Sequence, residues 1–61
     1  MRNFQKQPNE STWSFAERIE SEVEQKMTEA EYQAFRRYVE GDHQRFYVEI
    51  GGKEVACVTT K

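Results

Sequence analysis

From Ser14 onward apolar residues recur every three or four positions. Phe15, Ala16, Ile19, Val23 and Met27 fall on one stripe of a 3.6-residue period, which predicts a first helix. Ser14 and Glu17 have the spacing of a capping box and mark its start, the alternative being a cap at Ser11 or Thr12 one turn earlier. A second box, Thr28 with Glu31, opens a second helix, and Met27 and Tyr32 stand where a hydrophobic staple would fix its entry. Tyr32, Phe35, Tyr38 and Val39 form its apolar arc, which runs to Glu40, and Gly41 is placed for a left-handed C-terminal cap. At ~100° per residue the apolar direction swings by roughly 150° between the two sets, so one straight rod would face two ways and a hinge near Met27–Thr28 is expected.

Beyond the polar joint Gly41–Asp42–His43–Gln44 the period changes to two. Phe46, Val48 and Ile50 alternate with Arg45, Tyr47 and Glu49, and Gly51–Gly52 separates this run from Lys53–Thr60. A Gly-Gly link between β-branched runs predicts a tight hairpin, because primed turns need positive φ. Counting outward from the turn pairs Ile50 with Lys53, Glu49 with Glu54, Val48 with Val55, Tyr47 with Ala56 and Phe46 with Cys57. Phe46, Val48, Ile50, Val55 and Cys57 then share the face that meets the helices. The expected fold is α+β, two helices followed by a C-terminal hairpin (ααββ), in one domain over residues 12–61.

Residues 1–11 are polar, contain the sole proline and show no period, so they are expected to form a flexible arm with Phe4 as its one anchor. The competing arrangement makes the arm a third strand around Phe4. Composition bears on the choice. The chain has 61 residues, 36% of them hydrophobic, no leucine, and eight aromatic rings that must replace aliphatic bulk. Folds this small usually add disulfides, a metal or a partner subunit to a modest core. Cys57 is the lone cysteine and no Cys/His cluster has zinc-ligand spacing, so a homodimer is the expected staple, through joined hairpins or packed helices.

Candidate chemistry is sparse. One His, one Asp and one Cys stand beside ten glutamates. A His43–Cys57 base and nucleophile pair, or Asp42, His43 and Cys57 as metal ligands, is the available set, but His43 reads more simply as a solvated turn residue and Cys57 as a small buried hydrophobe. No catalytic residue, cofactor or metal ligand is assigned. Glu17, Glu20 and Glu24 line up on the first helix, and Trp13 before it and Tyr47 on the outward hairpin face are ring types enriched at binding hot spots. These five residues form the expected protein interface. Glu49 opposite Glu54 is mildly unfavourable in an isolated hairpin, which is met either by a basic group nearby, such as one from a partner, or by simple solvation.

Arg36 and Arg37, joined by Arg45 and Lys53, support a second reading in which the second helix enters a DNA groove and the hairpin acts as a wing. A net charge of −2 weighs against it, since phosphate neutralisation dominates DNA affinity. No apolar run spans a membrane, and the first residues lack a signal-peptide core, so a cytoplasmic protein is expected. The sequence therefore points to a small non-enzymatic protein–protein interaction module of inhibitor, antitoxin-like or adaptor type. Bacterial or phage proteins of this size and acidity offer the compositional parallel. The alternative is a winged helix-turn-helix-like DNA-binding regulator.

Overall fold

Ser11 opens the first helix. In the computed structural model, which describes residues 1–60, its Oγ accepts the N–H of Ser14 at 3.1 Å and its carbonyl accepts that of Phe15 at 2.9 Å. Helix α1 (Thr12–Val23) thus begins one turn before the Ser14–Glu17 box. It also ends before the expected hinge. Glu24 takes a left-handed conformation at φ 59° and ψ 38°, and the Glu20 carboxylate folds back to accept the N–H of Met27 at 2.8 Å, holding the joint between the helices.

Helix α2 (Glu29–Glu40) follows the sequence closely. Both halves of the Thr28–Glu31 capping box are present, and the helix stops at Glu40. Gly41 is not a left-handed cap, however: it is extended, at φ −95° and ψ −152°. Its lack of a side chain matters for another reason, since a Cβ there would lie 2.8 Å from the Arg37 carbonyl oxygen.

The hairpin joins β2 (Arg45–Ile50) to β3 (Lys53–Thr59), and Gly51 and Gly52 both have positive φ, 64° and 81°, as a primed turn requires. Ile50 pairs with Lys53 and Glu49 with Glu54, as the count from the turn predicts. The register then slips by one. Val48 pairs with Ala56, Tyr47 with Cys57 and Phe46 with Val58, so Val55 is the extra residue of a bulge. Ala56 and Val58 consequently join Phe46, Val48 and Ile50 on the buried face, and Cys57 moves to the other side of the sheet.

The expected ααββ order is corrected to βααββ, within the α+β class. Residues assigned to the arm contain β1 (Arg2–Gln5), which runs parallel to β3 with Phe4 beside Val58, giving the sheet order β1-β3-β2. Phe4 is only 9% exposed and joins the core. Arg2 reaches Glu22 of α1, while Arg18 of α1 donates to the Gln5 carbonyl at 2.8 Å and to the Glu10 carboxylate at 2.9 Å. Strand β1 is therefore held from above by the helix and from the side by β3.

Both helices lie on one face of the sheet, and rings knit the layers together. Phe35 meets Phe15 of α1 at 5.7 Å between centroids and Phe46 of β2 at 5.9 Å, while Tyr38 stands edge-on to Phe46 at 5.2 Å. Phe15, Ile19 and Val58 are the largest fully enclosed side chains.

Two substitutions test this account. Phe4→Ala should cost about 3 kcal/mol, the scale of a buried ring, in urea unfolding, whereas a flexible arm would leave the midpoint unchanged. Glu24→Gly should raise stability by about 1 kcal/mol by relieving the left-handed backbone, seen as a higher urea midpoint.

Candidate interaction surface

Covering one sheet face with two short helices leaves the other bare. Residues alternate along each strand, so Asn3 and Gln5 of β1, Cys57 and Thr59 of β3, and Arg45, Tyr47 and Glu49 of β2 share the uncovered face. Cys57 is nevertheless only 4% exposed, because it sits on the central strand between Asn3 and Tyr47, and Arg45 Nε donates to its Sγ at 3.2 Å. This contact raises the Arg45 pKa further above its ordinary value. The expectation that Cys57 points among the helices is thus overturned by the bulge.

His43 lies elsewhere, stacked on Tyr38 at 4.4 Å, with its carbonyl accepting the Thr60 hydroxyl. Among the described residues no three His, Cys, Asp or Glu side chains converge where a metal would bind, and no helix is long and apolar enough to cross a membrane.

The residues assigned to a protein interface separate into two groups. Glu17, Glu20 and Glu24 line a shallow groove beside α1, as their spacing implies. Glu20 is committed to the Met27 N–H, which makes it a joint residue as well as part of the acidic line. Trp13, 58% exposed, stands at the start of α1 with its ring edge-on to Tyr32 at 5.2 Å. Tyr47, 53% exposed, is on the far side, on the bare sheet face.

The basic residues of the DNA reading are dispersed. Arg36 pairs with Glu40 at 3.2 Å on α2, Arg37 lies exposed in the same last turn, and Arg45 is directed to Cys57. Lys53 pairs with Ile50 at the turn end of the hairpin, while Arg45 begins the strand, a separation of about 17 Å at ~3.3 Å per residue.

A third surface escaped the sequence reading. Between α2 and the hairpin runs a groove of about 420 Å³, lined by Ala30, Ala34, Phe35 and Tyr38 of α2, by Phe46, Tyr47, Val48 and Glu49 of β2, and by Glu54 of β3. Ala30, Ala34 and Tyr38 follow one another at four-residue spacing, so the small residues open the space and the ring closes its end.

Glu31 pins one end of this groove. One carboxylate oxygen accepts the Thr28 N–H at 2.9 Å and the other accepts the Gly51 N–H at 2.9 Å, tying the start of α2 to the hairpin turn. The Thr28 bond is the leading cause that holds the Glu31 pKa below the ordinary 4.5, and the Arg18 side chain does the same for Glu10.

Comparison with family models, curated proteins and solved structures gives no match to this chain.

The depressed carboxylates fix the sign of the acid response. Their stabilisation is full above the ordinary pKa and is lost as pH falls through the lower folded-state value. The melting temperature should therefore drop on acidification below about pH 4.5. Glu10→Gln and Glu31→Gln should each lower it at neutral pH and flatten the acid decline, as a thermal melt series across pH will show.

Proposed function

We propose that the chain is a small non-enzymatic protein–protein interaction module, of inhibitor, antitoxin-like or adaptor type, that works as a homodimer. The observation that carries this reading is the β2 edge: among the described residues no strand pairs with the backbone groups on that side, and the groove beside it is lined by the exposed Tyr38 and Tyr47. Open strand edges invite pairing with another chain, and exposed tyrosines are suited to binding because they bring large area at small entropic cost. Trp13 and the acidic line on α1 add a second surface, suited to a basic partner.

The competing winged regulator draws support from the succession of two helices and a hairpin. The separation of Lys53 from Arg45 and the engagement of Arg36 with Glu40 weigh against a continuous phosphate-binding strip.

Affinity capture with the wild-type chain, Trp13→Ala and Tyr47→Ala separates the two. A protein partner should be retained by the wild type and bound on the order of tenfold more weakly by at least one variant. Tight duplex DNA binding that falls steeply with salt, and is lost in Arg36→Ala/Arg37→Ala, would replace this reading with the regulator.

A further inference from the structure

The Gln44 carbonyl accepts the Thr60 N–H at 2.9 Å, so the backbone of Gln44 is turned toward β3. Alternate residues of a strand direct their backbone groups to the same side. Phe46, Val48 and Ile50 therefore also face β3, and Arg45, Tyr47 and Glu49 present their N–H and C=O groups to the open edge. The side chains of these three lie on the bare sheet face and read cation, ring, anion.

Such a strip is its own complement when reversed. We infer that β2 pairs antiparallel with β2 of a second copy of this chain about a twofold axis at Tyr47, forming a six-stranded sheet. Arg45 then stands opposite the partner's Glu49, Tyr47 opposite the partner's Tyr47, and Glu49 opposite the partner's Arg45. On the buried face Phe46 meets the partner's Val48. This identifies the partner in the homodimer proposed above and rests on that reading.

The register follows from parity and charge. Inner side chains must lie beside inner ones, so the pairing moves only in steps that keep faces matched. Centring the axis on Phe46 sets Arg45 against the partner's Tyr47, and centring it on Val48 sets Glu49 against the partner's Tyr47. Both forfeit the two ion pairs.

Two further observations agree with it. Glu49 stands opposite Glu54 within the chain, a like-charge pair that is unfavourable in isolation, and the twofold brings a guanidinium to the other side of Glu49. The same axis sets the two α2 helices side by side above the joined sheet. Ala30 and Ala34, which line the groove beside β2, let them approach closely.

Sedimentation equilibrium of the full chain tests the interface through charge reversal. Arg45→Glu and Glu49→Arg should each weaken dimerisation by tenfold or more, and Arg45→Glu/Glu49→Arg should restore it, with circular dichroism confirming that each variant is folded. Tyr47→Cys in a Cys57→Ala background should give a covalent dimer on mild oxidation, since directly opposed, hydrogen-bonded antiparallel residues have Cα atoms about 5.5 Å apart, within disulfide reach. A dimer indifferent to single reversals, a double variant as weak as the singles, or no crosslink would overturn this interface and leave the interaction reading standing. A monomer that still retains a different protein would overturn the homodimer alone. A monomer that retains none would overturn both.

Discussion

Phe35 touches Phe15 of α1, Tyr32 one turn back on its own helix, and Phe46 of β2, so one ring in α2 connects both helices to the sheet. A core without leucine has few flexible aliphatic chains to fill gaps, and these edge and tilted ring contacts supply both area and orientation. The tyrosines at the rim extend the arrangement outward, from Trp13 on Tyr32 to His43 on Tyr38. Because every Phe, Tyr or Trp ring but that of Tyr47 projects from the helices or the inner sheet face, the opposite face receives none of this cover, and Tyr47 stands in solvent.

Local signals were legible where one residue type has one physical job. The Thr28–Glu31 box, the helical stripe through Phe15 and Ile19, and the Gly51–Gly52 turn each name their own geometry, and each is present. The bulge was not legible because Val55, Ala56, Cys57 and Val58 are all apolar. A run without polar members has no alternation to reveal which residues face inward. Strand β1 was hidden for a related reason: four residues with one apolar side chain carry no period, and the partner that makes them a strand lies at the far end of the sequence. The left-handed cap expected at Gly41 is absent, and what the helix end requires of this glycine is close approach to the Arg37 carbonyl rather than a positive φ.

The candidate surface divides in the same way. Exposed rings at 13 and 47 and the acidic line on α1 could be read from residue type and spacing. The groove beside α2 could not, since alanines at 30 and 34 look neutral until the hairpin lies next to them. Acidic character is also partly internal business here. Glu20 and Glu31 spend carboxylate oxygens on the backbone N–H groups of Met27 and Thr28 where the joint enters α2, and Glu31 also on that of Gly51, so charge counted from composition overstates what the surface offers a basic partner.

Parallel pairing of β1 with β3 has a consequence for how the chain acquires its shape. The first of the three strands to leave a ribosome must wait for the third before it gains a hydrogen-bonded neighbour. Nascent helices can form meanwhile, yet the central strand that organises the sheet arrives last, and closing so long a loop is slow compared with helix formation. All three strands must therefore have emerged before the sheet can close, and the residues of β1 remain accessible to chaperones or proteases throughout that interval.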